Sequence, residues 1–147
     1  MIQEVLALAR RELSESRVLL ELQLTKALPP VLADRVQLQQ VLLNLIMNGI
    51  EAMTALTNRP RLLWVQSRID ESGDILVAVC DSGTGLGLAA DRIFTPFFTT
   101  KANGMGMGLS ISRSLVEGHG GRLWSTPNSP HGAVFSFTLP GGAGDRS

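Results

Sequence analysis

The sequence predicts an α+β fold, a two-layer sandwich in which a mixed, mainly antiparallel sheet carries its helices on one face. The chain has 147 residues, of which 44% are apolar and 18% are charged, as in a single domain with a sizeable core. Its helical and strand patterns follow the order helix, strand, helix, hairpin, long loop, helix, hairpin. Because each hairpin pairs antiparallel strands, this order argues against a doubly wound, parallel nucleotide-binding fold.

The first third of the chain contains two helical patterns and one strand pattern. Apolar residues recur at helical spacing over 2–13, and apolar side chains alternate over 17–24. These patterns indicate an amphipathic helix followed by a half-buried strand. Asp34 is a good N-cap for a long helix that is predicted to reach about Leu56.

The middle of the chain combines a hairpin with a long loop. Strand patterns at 62–69 and 75–80 flank the turn residues Asp-Glu-Ser-Gly-Asp, which are a strong hairpin signal. Residues 81–108 are rich in glycine, threonine and phenylalanine and show little periodicity. A loop of about 28 residues inside a compact domain is usually functional.

The last third of the chain contains a helix and a second hairpin. A helical pattern over 109–116 ends at Gly118, and strands are predicted at 122–125 and 133–139. The tail 141–147 is predicted to be disordered.

Charge and cysteine content narrow the possible partners and compartment. Lys and Arg total 13, as do Asp and Glu, so no charge excess favours nucleic acid or an anionic membrane surface. The single cysteine, Cys80, allows no internal disulfide, which fits a reducing compartment. No apolar run approaches the ~20 residues that span a bilayer. We therefore expect a cytoplasmic domain with no nucleic-acid partner and no direct membrane contact in this segment.

A stripe of polar side chains runs along the predicted long helix. On a helical wheel, Gln40, Asn48 and Glu51 lie within about 40° of Asn44, opposite an apolar arc. Such a stripe can be an ordinary solvated face. Asparagine, however, is a poor helix former. Amide oxygens at positions i and i+4 suit a magnesium ion whose charge is already largely neutralised by phosphates.

A strand pattern runs directly into an aspartate and a series of glycines. Asp81 ends the strand, and Gly83 and Gly85 follow at alternate positions. A carboxylate beside backbone that folds closely against a flat ligand can accept a hydrogen bond from an exocyclic amine. The alternative is that Asp81 only starts a glycine turn.

Three further glycines precede the predicted third helix. Gly104, Gly106 and Gly108 allow positive φ and expose backbone N–H groups, and the N-terminus of the following helix attracts anions. The alternative is a loop that is merely flexible. Neither the P-loop nor the Rossmann glycine spacing occurs in the chain, so an anion site here is of another kind.

Four segments occur in an order that is found in one family. Residues 39–53 resemble an asparagine box, 81–86 a first glycine box, 93–101 a phenylalanine box and 104–109 a second glycine box. The chain therefore resembles the ATP-binding catalytic domain of a sensor histidine kinase, within the superfamily shared with gyrase, MutL and the heat-shock chaperone ATPases. The phenylalanine box is most similar to that of the nitrogen-regulation and oxygen-sensing kinases. The resemblance implies a Bergerat-type ATPase fold over 1–140.

The resemblance also implies ATP and Mg²⁺ as cofactors and assigns roles to individual residues. Asn48 is the implied catalytic residue, because it coordinates Mg²⁺ together with Asn44. Asp81 is implied to accept a hydrogen bond from the adenine amino group, next to a base pocket shaped by Gly83 and Gly85. The implied phosphate contacts come from Lys101 and from the backbone of Gly104, Gly106, Gly108 and Leu109.

Neither of the two histidines matches the phosphoacceptor of the family. His119 lies at a glycine-rich helix exit and His131 in a turn, whereas the family's acceptor stands on an exposed helix of a separate dimeric hairpin. We therefore expect two partners: a dimerisation and phosphoacceptor domain of the same protein, and a downstream response regulator. The implied enzyme is a protein histidine kinase whose isolated catalytic domain does not autophosphorylate.

Two other interpretations stay open at this point. One is a stand-alone protein serine kinase of the anti-sigma type with the same fold, although the segment 93–101 argues against it. The other is a binding module that kept the fold but has no activity. Asn48, Asp81 and the segment 104–109 speak against that second alternative.

Overall fold

A computed structural model describes residues 2–24, 34–53, 60–83, 108–127 and 132–140. Within these ranges, no helix has both the length and the apolar character that crossing a bilayer requires. The described residues form three helices and five strands: α1 (Ile2–Glu15), β1 (Leu19–Leu24), α2 (Arg35–Ala52), β2 (Leu62–Ile69), β3 (Ile75–Asp81), α3 (Gly108–Gly118), β4 (Leu123–Pro127) and β5 (Ala133–Leu139).

The five strands form one mixed sheet in the order β1-β2-β3-β5-β4. β1 pairs with β2 in parallel, while the pairs β2 with β3, β3 with β5 and β4 with β5 are antiparallel. The predicted mixed, mainly antiparallel sheet is therefore confirmed. The central strand β3 ends at Asp81, so this residue lies where the middle strand of the sheet leaves it.

The helices share a single core with one face of the sheet. Leu63 and Val65 of β2, Val79 of β3, and Phe135 and Phe137 of β5 are buried in this core. Apolar residues of all three helices belong to the same cluster. Because side chains alternate along a strand, the odd-numbered positions of these strands face the helices. This arrangement confirms the predicted two-layer sandwich.

The beginning of the chain differs from the prediction in two ways. α1 continues to Glu15, and β1 starts two residues later than position 17. Arg17 adopts a φ of 54°, and the N–H of Val18 donates to the carbonyl of Leu13 at 2.9 Å, which closes the helix before the strand begins. Leu22 is one of the alternating apolar side chains of the predicted half-buried strand, but it is 40% exposed, because β1 is an edge strand.

The long helix α2 begins at its predicted cap. Asp34 accepts the N–H of Gln37 through Oδ1 at 3.0 Å, which satisfies one of the unpaired donors of the first turn. α2 ends at Ala52, with Met53 as its C-cap, so the helix is four residues shorter than the predicted end at about Leu56.

The turn between β2 and β3 is the tight hairpin that the sequence predicts. The Oδ1 atom of Asp70 accepts the N–H groups of Ser72 at 2.9 Å and Asp74 at 3.0 Å. Gly73 adopts a φ of 84°, which favours glycine. The hairpin fixes the register that places Asp81 opposite Leu63.

Helix α3 extends one residue before and two residues beyond the predicted 109–116. Its exit contains Gly120, with a φ of 83°, and the N–H of Gly121 returns to the carbonyl of Val116 at 3.0 Å. This left-handed ending satisfies carbonyls of the last turn. It also determines the direction in which His119 points.

Candidate functional site

Asp81 is a buried carboxylate at the end of the central strand β3. Asp81 is only 2% exposed. Oδ1 accepts the N–H of Gly83 at 2.8 Å and the N–H of Ala133 at 3.3 Å. Two backbone donors from different parts of the chain therefore hold the carboxylate, which a simple solvated glycine turn would not need.

Helix α2 passes directly over Asp81, and a glycine makes this approach possible. A Cβ atom on Gly49 would lie 3.5 Å from the Cβ of Asp81 and 2.9 Å from Cδ1 of Leu63. Gly49 was not among the predicted site residues. The signal that could have identified it is that glycine destabilises a helix interior and needs a packing reason there. Because Gly49 follows Asn48, the contact brings the amide stripe next to the carboxylate.

Two more glycines close the backbone around Asp81. A Cβ atom on Gly83 would lie 2.7 Å from the carbonyl oxygen of Ala52, so the turn after β3 packs against the end of α2. A Cβ atom on Gly132 would lie only 1.9 Å from the carbonyl oxygen of Asp81. Gly132 was not among the predicted site residues either.

The structure divides the polar stripe of α2 into two parts. Asn44 and Asn48 are half-buried, whereas Gln40 and Glu51 are exposed. Nδ2 of Asn44 donates to Oγ of Ser112 on α3 at 3.1 Å, and Ser112 is fully buried. Because this bond uses the amide nitrogen, the amide oxygen is the atom of Asn44 suited to bind a metal ion. Ser112 was not among the predicted site residues.

Helix α3 runs antiparallel to α2. Ser112 lies beside Asn44, and His119 near the end of α3 bonds the backbone N–H of Asp34 before α2 begins. Gly108 precedes Ser112 by four residues, or about 6 Å along the helix axis. In the antiparallel partner, the same displacement leads from Asn44 to Asn48. The first residue of α3, whose helix N-terminus attracts anions, therefore lies at the level of Asn48.

Four of the predicted site residues lie outside the described residues: Gly85, Lys101, Gly104 and Gly106. Their proposed roles stay predictions, as do the roles of the phenylalanine box 93–101. Leu109 at the start of α3 is half-buried and packs against the core. The described part of the chain thus brings together Asn44, Asn48, Asp81 and the start of α3.

The neighbouring thiol takes no part in this arrangement. Cys80 is buried, and its side chain points to the opposite face of β3 from that of Asp81. Burial, together with the negative charge of Asp81, raises the pKa of the Cys80 thiol. The thiol is therefore protonated at neutral pH and is a poor nucleophile there.

Comparisons with known proteins identify relatives of one kind. Residues 33–143 match the family described as histidine kinase-, DNA gyrase B-, and HSP90-like ATPase. The sensor protein FixL of Bradyrhizobium diazoefficiens is 46% identical over 143 residues, which are 95% of this chain and 28% of FixL. The chain thus spans little more than a quarter of that relative.

Solved structures with the same fold include histidine kinases. The nucleotide-free catalytic domain of ThkA superposes with a TM-score of 0.81 at 34% identity, covering 95% of this chain and 90% of that domain. ThkA in complex with the response regulator TrrA gives a TM-score of 0.79 at 32% identity, covering 99% and 40% of the two chains. Full-length ShkA in complex with AMPPNP gives 0.79 at 27% identity, covering 95% and 29%.

Proposed function

Because the chain belongs to the family of histidine kinase-, DNA gyrase B- and HSP90-like ATPases, we propose that it is the ATP-binding catalytic domain of a sensor histidine kinase. The observation that carries this proposal is the convergence on α2 of a buried carboxylate, two half-buried amides and the start of α3. These groups match the needs of the adenine base, a metal ion and phosphates. The serine-kinase alternative is not favoured, since the related proteins are sensor kinases.

Asp81 binds the adenine base in this proposal. Its carboxylate accepts a hydrogen bond from the exocyclic amino group, and the backbone at Gly83 approaches the flat base. The burial of Asp81 supports the assignment, because a hydrogen bond to a charged acceptor is strongest where water is excluded. The two N–H groups that hold Oδ1 fix the carboxylate before ATP arrives.

Asn48 and Asn44 bind Mg²⁺, and the start of α3 binds the phosphates. Amide oxygens are hard, neutral ligands that suit an ion already paired with phosphate oxygens. The backbone of Gly108 and Leu109 offers N–H groups at a helix N-terminus, while Gly85, Gly104, Gly106 and Lys101 complete the proposed site. When bound, Mg²⁺ supplies charge neutralisation for the transferring phosphoryl group.

The acceptor of the phosphoryl group lies outside this domain. Both ring nitrogens of His119 are engaged by backbone groups, which supports a structural role for this residue. We propose that the γ-phosphoryl group passes to a histidine on a dimerisation domain of the same protein, and from there to a response regulator. The solved complex of ThkA with TrrA supports a response regulator as one of these partners.

The isolated chain is expected to bind ATP with Mg²⁺ but not to phosphorylate itself. Calorimetry with a non-hydrolysable ATP analogue measures binding, and γ-labelled ATP measures transfer. Absence of binding would favour the inactive module. Stable label on this polypeptide would contradict the proposal that the phosphoacceptor lies outside this domain. Acid-stable label on a serine of another protein would favour the serine kinase.

Replacement of Asn48 by alanine is expected to lower ATP affinity about tenfold in Mg²⁺, a loss of ~1.4 kcal/mol, because a metal ligand is removed. In excess EDTA, the variant and the wild-type chain should bind ATP equally. Gln40→Ala is the matched control, since Gln40 lies on the same stripe but is exposed. An equal loss with and without Mg²⁺ would contradict the metal role of Asn48.

A further inference from the structure

The imidazole of His119 connects helix α3 to the N-terminus of α2. Nδ1 donates to the carbonyl of Leu115 at 2.7 Å, and Nε2 accepts the backbone N–H of Asp34 at 2.9 Å. The two partners are separated by about eighty residues of sequence. The proposed function assigns no role to this contact.

The two backbone partners determine which ring nitrogen of His119 donates a hydrogen bond and which accepts one. A carbonyl oxygen can only accept a hydrogen bond, so Nδ1 must carry a proton. A backbone N–H can only donate, so Nε2 must be unprotonated. Nδ1 thus acts as the donor and Nε2 as the acceptor, so both ring nitrogens are used.

The contact of His119 lies at the N-cap of α2. The Asp34 carboxylate caps α2 through the N–H of Gln37, while its backbone N–H binds His119. On the α3 side, Gly120 takes a φ of 83° and turns the chain directly after His119. The imidazole thus joins the cap of one helix to the exit turn of the other.

A second hydrogen bond joins the same two helices nearer the site. Nδ2 of Asn44 bonds Oγ of Ser112 at 3.1 Å. Apolar residues of both helices also pack in the shared core. Two directional bonds at different heights fix both the axial position and the rotation of α3 against α2.

We propose that His119 is a positioning residue for the phosphate end of the nucleotide site. By fixing α3 against α2, it sets the distance between Asn48 and the first N–H groups of α3, which act on the same triphosphate. This inference rests on the proposed function, because it assumes that these groups bind Mg²⁺ and phosphate. Adenine binding at Asp81 involves β3, the turn after it, β5 and α2, but not α3, so it does not depend on His119.

Two substitutions separate this role from a general effect on stability. In His119→Gln, Oε1 extends about as far as Nε2 and can accept the N–H of Asp34. In His119→Asn, the shorter amide can still reach the carbonyl of Leu115 but not Asp34. We expect His119→Asn to lower the affinity for ATP with Mg²⁺ about three- to tenfold, and His119→Gln to stay within about twofold of wild type.

Adenosine is the probe that isolates the base pocket. Calorimetry or NMR titration of the 147-residue chain with adenosine should give the same affinity for wild type and both variants. Equal losses for adenosine and ATP in His119→Asn would overturn the proposal, as would no loss for ATP or no rescue by glutamine. Failure of the wild-type chain to bind ATP would overturn the proposed function as well, so the two failures are distinguishable.

Discussion

Replacement of Asp81 by asparagine is expected to weaken ATP binding about five- to hundredfold, a loss of ~1 to 3 kcal/mol. Asparagine has nearly the same shape, and its one oxygen can still accept the N–H groups of Gly83 and Ala133. Its NH₂ group, however, replaces the second carboxylate oxygen, Oδ2, which is the acceptor in the proposed contact with adenine. A donor then faces the adenine amino group, and neither group is satisfied in a buried site.

The loss at Asp81 should depend on the 6-amino group of the base. Calorimetry with ATP and ITP analogues tests this, because ITP lacks that group and should lose little affinity in the variant. Glu71→Gln is the matched control, since it removes the same charge at an exposed position in the β2–β3 turn. Unchanged ATP affinity in Asp81→Asn, with an unchanged melting temperature, would contradict the adenine assignment.

The sequence predicted most of the fold because residues that favour turns mark the ends of its strands. β2 and β5 have the predicted bounds, since turn residues or glycine flank regular alternation. The errors arise at the end of a helix and at the edge of the sheet. Arg17 closes α1 in a left-handed conformation that no local pattern signals, and Leu22 is exposed because β1 is at the edge of the sheet.

The family recognition from the four boxes is confirmed by the match over residues 33–143. Composition and periodicity alone could not have supplied it. The polar stripe of α2 had a plausible alternative as a solvated face. Only two of its four residues, Asn44 and Asn48, are half-buried. A helical wheel shows which residues share a face, but it does not show what packs against that face.

The contacts that build the site were not predictable from local pattern. Gly49 meets Asp81, Asn44 meets Ser112, and His119 meets the cap of α2. Each contact joins residues more than thirty positions apart, so its partner depends on the sheet order and the helix packing. Glycines inside helices and turns are the one sequence signal that pointed toward them.

Replacement of Gly132 by alanine is expected to lower the free energy of unfolding by about 3 to 5 kcal/mol and to abolish tight ATP binding. Gly132 adopts a φ of 103°, which alanine disfavours. The added Cβ would also lie 1.9 Å from the carbonyl oxygen of Asp81 and 3.0 Å from its Oδ1. Backbone must therefore move, and the carboxylate that Ala133 holds moves with it. Urea unfolding and calorimetry measure the two effects.

Gly73→Ala is the matched control, because it separates backbone strain from the clash. Gly73 also has a positive φ, 84°, but a Cβ atom there would meet nothing within 4 Å. This variant should lose only about 1 to 2 kcal/mol and should bind ATP normally. Since both glycines have a positive φ that alanine disfavours, the larger loss at Gly132 measures mainly the contact with Asp81. Equal losses would mean that Gly132 does not pack against Asp81, and the site would then need another element to close it.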